Sequence, residues 1–348
     1  MSQEVNKFLD FVASIDVMKP GSIDKDNMNH LIKLDKLLDD PLYVAEEKID
    51  GCRYKMFGCR FFSSDNVEKT DNFPHLREFF VQLGMPNLIL DGEINYPGKT
   101  SQYCTRVTGS LAETAVKFQE QNGYIHYKIY DILRTPKATW MVHNTYQQRR
   151  KLLQYFYDMY IKGTPMEQFI QISDREIDNK RPYLEKILDD GGEGIVLKHV
   201  NSLYVMGKNP MWQWMKWKKD DEADLIIIGL EDPTIEYKGK NIEQWPFWRN
   251  INGIDTPVTK NYYNGWCNKL IMGAYVDGEI QKICTAAGLT EEVKADIKEH
   301  PKKYLNRVAR ITFMEKTEAG YPRHPNFHSL HEDKQPDACI WTFTNKTE

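Results

Sequence analysis

The sequence predicts an α+β domain over residues 1–220, followed by a small β-barrel domain over residues 221–348. Three observations lead there. A chain of 348 residues exceeds the usual size of one hydrophobic core, so two domains are expected. From Tyr43 onward, short apolar or alternating runs separated by turn residues replace the helical spacing of the N-terminal lead. A charged stretch, Lys218-Lys219-Asp220-Asp221-Glu222, then separates two sets of such runs.

Taken in order, residues 4–17 place Val5, Phe8, Leu9, Val12 and Ile15 at helical spacing, and Leu31, Leu34, Leu37 and Leu38 repeat the pattern before Pro41. Strands follow at CRYKMF (52–57), LILDGEI (88–94), HYKIYDIL (126–133), EGIVLKHV (193–200) and WQWMKWKK (212–219), expected to lie in mostly antiparallel sheets. Helical patterns intervene at 144–162 and 182–190. The second set of strands is ADLIIIGL (223–230), LIMGAYVDG (270–278) and VARITFMEK (308–316). There is no internal repeat and no low-complexity segment.

Composition narrows the class. The chain is 41% hydrophobic and 28% charged, with no apolar run near the length of a membrane helix. The N-terminus mixes acids into its apolar positions, unlike a secretory signal, so a cytoplasmic protein is expected. Six cysteines are scattered without a C-x-x-C pair, against both a zinc site and a disulfide framework. No G-x-x-x-x-G-K-[ST] motif marks a P-loop. The net charge of −4 requires any contact with nucleic-acid phosphates to be local. The most basic cluster is Lys298, Lys302, Lys303, Arg307 and Arg310, for which a solvated helix face is an equal reading.

Four short motifs carry chemistry. The first is Lys48-Ile49-Asp50-Gly51 within EEKIDGCR, and K-x-D-G alone arises by chance in about one protein in twenty of this length. Asp91-Gly92-Glu93, Glu193-Gly194-Ile195-Val196-Leu197-Lys198 and Lys216-Trp217-Lys218 follow. Their joint occurrence, in this order and each on or beside a predicted strand, is what decides.

In these residues the chain resembles the covalent nucleotidyltransferases, which comprise ATP-dependent DNA ligases, RNA ligases and mRNA capping enzymes. The resemblance extends to Arg323-His324-Pro325-Asn326-Phe327 and Asp333-Lys334, which look like the ligase patterns R-x-P-x-F and R-x-D-K, and so spans about residues 43–334. Size and motif order are most similar to the small DNA ligases of bacteriophages. The resemblance implies a nucleotidyltransferase domain with antiparallel sheets and helices, then an OB-fold barrel. It implies a monomer that seals 3′-OH/5′-phosphate nicks in double-stranded DNA, with ATP as AMP donor and Mg²⁺ as metal.

Residue by residue, it implies that Lys48 carries AMP while Lys216 and Lys218 contact the α-phosphate. Physical chemistry explains the types: a lysine amine attacks phosphorus only when neutral, which neighbouring cations, a metal and partial burial favour. Lys198 is a further such cation. Pyrophosphate leaves poorly without charge neutralisation, so a hydrated Mg²⁺ on few carboxylates is expected, with Glu193 first and Glu93 next, and Asp50 positioning Lys48 or the metal. Glu46 and Glu93 are implied at the nucleotide, Glu93 at the ribose or the metal. Tyr130, before Asp131 on a strand, is implied as the stacking surface for adenine, with a core tyrosine as the alternative. Arg53 is implied at the 5′-phosphate of the nick or the ribose, a surface salt bridge being the alternative. Arg323 and Lys334 are implied at the nucleic acid. Arg149-Arg150 falls where ligases carry an R-R pair, and a solvated helix face explains it equally.

Two departures stand out. The first position of R-x-D-K is His331, an imidazole in place of a permanent cation, which puts its contact with leaving pyrophosphate in doubt. Where many ligases have Ser-Arg, this chain reads Ser63-Ser64-Asp65-Asn66, with Lys69 as a candidate replacement. RNA ligase and capping guanylyltransferase are the rival activities within the family, and a non-catalytic barrel that binds single strands is the rival from another class. Residues 231–268 form a long aromatic insertion between the first two barrel strands, suited either to DNA contact or to a satellite core.

Overall fold

The computed structural model describes residues 3–343 apart from 25–26, 100, 209, 318 and 332. The side chain of Val5, in the lead pattern, and Glu332, inside the R-x-D-K match, lie outside the described residues. The chain divides into two compact units, Met1–Lys219 and Asp220–Glu348.

The first unit holds two five-stranded sheets. One runs Gly21–Ser22, Trp214–Lys218, Gly194–His199, Tyr43–Glu47, Arg175–Glu176; the other runs Arg60–Ser63, Cys52–Phe57, Ile89–Asn95, His126–Arg134, Ile170–Ile172. Each is antiparallel except for one edge pair, Gly21–Ser22 on Trp214–Lys218 and Ile170–Ile172 on His126–Arg134. The apolar runs therefore pair as their alternation predicts.

Between the two sheets lies an apolar layer that includes Val44, Phe57, Phe62, Ile89, Leu133 and Trp214, and the lead helix Gln3–Ser14 adds Val12 to it. The helices Met28–Asp39 and Lys180–Asp189 cover the outer face of the first sheet through Leu34, Leu37, Leu38 and Ile187. Four helices, Pro74–Leu83, Ser101–Gly109, Ala112–Asn122 and Tyr146–Tyr160, supply residues to the core of the second sheet. The last of these begins at a capping box, with Thr145 accepting from the Gln148 backbone and Gln148 returning a bond to the Thr145 N–H.

Three of those four helices escape the sequence reading. Ala112–Asn122 buries only Ala115 and Gln119, and Ser101–Gly109 only Ser101, Cys104 and Val107, too few apolar positions to raise a helical period. Arg149 and Arg150 are corrected as well. They do not face solvent: Arg149 is fully buried and grips Asp131 at 2.8 Å through both Nε and Nη2, while Arg150 donates to Ser173 O at 2.6 Å.

The second unit is an antiparallel sheet in the order Glu279–Ala286, Lys269–Val276, Asp221–Glu231, Val308–Phe313, Asn326–Leu330. The expected closed barrel is not formed as a continuous ladder. The two edge strands meet instead in an isolated parallel bridge, in which Ala287 N donates to Pro325 O at 2.9 Å and Phe327 N to Ala287 O at 2.8 Å. The insertion adds a hairpin, Trp248–Ile251 with Ile254–Pro257, and a short helix, Lys260–Asn264. Its aromatics engage one another: Tyr237 stacks on Trp245 at 3.7 Å, Trp245 meets Phe247 at 5.3 Å, and Phe247 meets Tyr263 at 5.2 Å. Arg249 lies 4.1 Å over Tyr263 and Lys260 pairs with Glu291, so these groups are engaged with one another and with neighbours in the same unit.

The basic cluster is largely paired, with Lys303 on Asp296, Arg310 on Asp224 and Lys298 on Asn264 O. All six cysteines are free. Among the described residues no helix is long and apolar enough to cross a membrane.

Arg149→Ala leaves Asp131 buried without its counter-ion, and should lower the unfolding free energy by about 3–5 kcal/mol in denaturant titration. Arg149→Lys, which cannot form the bidentate fork, should recover only part of this.

Candidate active site

A cleft of about 530 Å³ opens on the first unit, lined by Glu46, Lys48, Arg53, Glu93, Tyr130, Lys198 and Lys216 among others. Local backbone geometry brings these groups there. The strand Tyr43–Glu47 ends beside Gly194–His199, and Lys48 N donates to Gly194 O at 2.8 Å, which fixes the nucleophile's backbone at the strand terminus. Gly51 then turns the chain onto the second sheet. A Cβ there would stand 2.3 Å from Ile94 O, so only glycine fits. Gly92 is held the same way, 2.6 Å from Lys128 O.

The Lys48 ammonium forms an ion pair with Glu193 Oε2. Glu193 Oε1 is buried and has no hydrogen-bond partner. A buried carboxylate oxygen left without a donor is costly, and a cation is the natural occupant. Asp50 is engaged otherwise: its Oδ2 accepts from Ser101 N at 2.8 Å, at the start of the helix Ser101–Gly109. No group of three or more metal-ligating side chains occurs among the described residues.

Lys216 faces the cleft and is pushed below the usual lysine range by burial, with Lys48 and Lys218 adding like charge. Lys218 lies two residues on, opposite Gly194 in the ladder and therefore on the same face of its strand. It is near enough to Lys216 to be felt, though it does not line the cleft.

Glu46 and Lys198 form a buried pair at 2.8 Å. Tyr146 and Ser173 complete the carboxylate's shell, Ser173 Oγ at 2.8 Å. Burial raises the Glu46 pKa, but the Lys198 and Arg150 charges outweigh it and hold the group below the usual carboxylate range. Both carboxylate oxygens of Glu46 are thus taken within the protein. Lys198, lowered by burial, also lies 5.0 Å over the Tyr130 ring.

Arg53 also stands 5.3 Å from the Tyr130 ring. Arg53 is no surface ion pair. Its Nε and Nη2 hold both oxygens of the fully buried Asp91 at 3.0 and 2.6 Å, and its Nη1 donates to Met18 O at 2.7 Å. Tyr130 lines the cleft beside these two cations, its hydroxyl 3.5 Å from Glu93. Desolvation pushes Glu93 up to about 8, with Arg53 and Lys48 pulling it back only in part.

Several site residues carry no motif. Val17, Lys19, Pro20 and Ser22 of the lead wall the cleft, because Gly21–Ser22 pairs with Met215–Lys216 and Ile23 N donates to Lys216 O at 2.9 Å. Tyr204 donates to Asp91 at 2.6 Å and accepts from Met18 N at 3.1 Å. Ser64 also lines the cleft, whereas Lys69 is turned to Ser110 O at 3.1 Å. A two-residue strand and a lone tyrosine leave no periodic signal in a sequence. Arg323 and Lys334 belong to the second unit, where Arg323 pairs with Glu315 at 2.6 Å and Lys334 with Asp224 at 3.0 Å.

Comparison with known proteins places this arrangement in context. A DNA ligase of Methanocorpusculum labreanum is 27% identical over 310 residues, covering 84% of this chain and 52% of that protein. DNA ligase 4 of Coccidioides immitis is 26% identical over 231 residues, covering 55% of this chain and 22% of that protein. The chain therefore spans about half the length, or less, of these curated relatives. Among solved structures, a Lig E DNA ligase superposes with a TM-score of 0.58 at 14% identity, covering 91% of this chain and 99% of that one, a likeness of fold. The model of the ATP-dependent DNA ligase domain matches residues 28–218, more than half of the chain and all four cleft motifs, and the chain belongs to that family.

Proposed function

We propose that this chain seals 3′-OH/5′-phosphate nicks in duplex DNA with ATP as AMP donor, through AMP carried on Lys48. The observation that carries the reading is the Lys48–Glu193 pair at the mouth of a cleft also lined by Tyr130, Glu93 and Lys216. Glu193 Oε2 orients the amine and takes its proton. The free electron pair of Nζ attacks the α-phosphorus and forms the N–P bond; the bond between the α-phosphorus and the α–β bridging oxygen breaks, and pyrophosphate leaves with the electrons of that broken bond. Lys216 and Lys218 face the added negative charge of the transition state. AMP then passes to a 5′-phosphate oxygen of the nick, freeing Lys48, and the 3′-hydroxyl displaces AMP from that phosphate.

The orphaned Glu193 Oε1 suits a divalent cation such as Mg²⁺. Held there, the ion would neutralise phosphate charge during pyrophosphate departure. Asp50, tied to Ser101, would support it from a distance. Tyr130 offers its ring face to adenine, Glu93 its carboxyl to the ribose, and Glu46 acts by holding Lys198. Arg53, with its fork on Asp91, has little left for a bidentate grip on phosphate, so its part in DNA binding is one of position. Arg323 and Lys334 would serve the nucleic acid from the second unit.

We read the second unit as an OB-fold. The strand order, the helix Glu291–Glu299 between its third and fourth strands, and the Ala287–Asn326 bridge between its edges support this.

Lys48→Ala should form no nucleotide adduct by mass spectrometry with labelled ATP or GTP, yet should still seal a pre-adenylated nick, because that step needs no lysine nucleophile. An adduct on this variant would refute the assignment. Glu93 gives a pH signature. Its folded pKa, about 8, lies above the ordinary 4.5, so its stabilising contribution is complete below about pH 4.5 and is lost as pH rises through 8. The melting temperature of the ligand-free protein relative to Glu93→Gln should therefore decline across that window, and a constant difference would contradict the shift.

A further inference from the structure

Lys55 is a fully buried lysine that the reaction proposed above does not use. It lies two residues beyond Arg53 on the strand Cys52–Phe57, on the same face, and stands opposite Asp91 in the ladder. Its ammonium donates to Ile15 O at 2.5 Å and to Asn66 Oδ1 at 2.6 Å. Both acceptors are neutral, an unfavourable setting for a buried cation. Part of that penalty is offset because Ile15 directly follows the helix Gln3–Ser14, and helix C-termini favour cations.

The two acceptors belong to separate segments, and each segment lines the cleft. Ile15 opens residues 15–20, which form neither helix nor strand and supply Val17, Lys19 and Pro20 to the wall. Side chains hold this stretch where a ladder would otherwise do so. Arg53 donates to Met18 O at 2.7 Å, and Tyr204 accepts from Met18 N at 3.1 Å. Asn66 sits in the turn after the strand Arg60–Ser63, at a φ of 63°, and its N–H donates to Ser63 O at 3.0 Å. Ser64 of that turn lines the cleft as well. Lys55 bonds to both segments at once.

We propose that Lys55 is a positioning residue, which fastens residues 15–20 and the 63–67 turn to one strand and so pre-forms the wall against which the nucleotide binds. The nucleotide part rests on the function proposed above; the fastening does not. Lys55 and Arg53 hold the first stretch at two points, Ile15 and Met18. Without Lys55 the stretch stays tied at Met18 but is released at its beginning, and the turn is released at Asn66. The wall is then looser rather than absent, and binding must also order it. A defect of that kind weakens substrate binding more than it slows the chemical step.

The test uses the full chain with Lys55→Met, which keeps an unbranched side chain but removes both bonds, and with Asn66→Gly, which removes one acceptor and suits the positive φ. Two readouts are taken: amide hydrogen exchange in the ligand-free protein, and the rate of self-adenylation against ATP concentration. In Lys55→Met, exchange at the Met18, Lys19 and Asn66 amides should accelerate together, and by more than along the strand Ile89–Asn95, which reports global opening. The KM for ATP should rise by about tenfold with kcat within about twofold, because order once supplied by charge-assisted bonds is now drawn from binding. Asn66→Gly should raise KM by a smaller factor, and should add little to Lys55→Met, since the bond it removes is already gone. Acceleration confined to one segment, or equal acceleration everywhere, overturns the proposal. So does an unchanged KM in a variant whose two segments have loosened, or a fall in kcat with KM unchanged. Should Lys55→Met fail to fold, Lys55→Gln, which keeps a donor, is read in its place by the same criteria. Wild-type protein that forms no adduct with ATP overturns the ligase reading and with it the nucleotide part, while the exchange data still decide whether Lys55 fastens both segments.

Discussion

Charge is buried around the cleft largely in matched pairs, and the Arg53–Asp91 pair is the one that ties the site's framework together. Asp91 has no exposed surface, and an isolated carboxylate at such a place would take up a proton. Two bonds from Arg53 and one from Tyr204 hold its charge in place. Arg53 Nη1 and Tyr204 in turn bind the O and N of Met18, which ties the N-terminal lead to the second sheet. From Met18 the chain runs into the lead residues that wall the cleft. A single ion pair thereby joins the framework of the site to the segment that encloses it.

The same device recurs with different partners and different consequences. Arg149 and Asp131 pair completely and lock a helix to a strand. Lys198 and Glu46 pair at 2.8 Å beneath Tyr130, which keeps a cation under the ring without leaving it free to react. Lys48 and Glu193 differ because one carboxylate oxygen remains without a donor. Incomplete satisfaction is unfavourable for folding, and it is what leaves room for a ligand. The distinction between a structural and a reactive lysine in this cleft is thus how fully its partner's lone pairs are used.

That distinction also marks what was legible in the sequence. The four motifs are visible because they combine strand ends, glycines and charged residues at fixed spacing, and the requirement for Gly51 and Gly92 is local. The strands are visible because their side chains alternate. The helices Ser101–Gly109 and Ala112–Asn122 are not, since few of their residues reach the core. Arg149 and Arg150 look like a solvated face in sequence because burial of arginine depends on Asp131 and Ser173, residues 18 and 23 positions from the partners they meet. The wall built by residues 17–22 depends on a parallel pairing with residues 215–216, nearly two hundred positions away. Long-range pairing has no periodic trace.

The aromatic insertion shows the opposite failure, a strong signal with two physical meanings. Tyrosine, tryptophan and lysine interleaved can stack on bases, or can stack on one another. In the structure Tyr237 lies parallel to Trp245 with an interplanar angle of 2°, and Trp245 Nε1 donates to Val258 O at 2.7 Å. A ring whose face and polar edge are both occupied must break those contacts before it can accept a base, so its own packing competes with stacking.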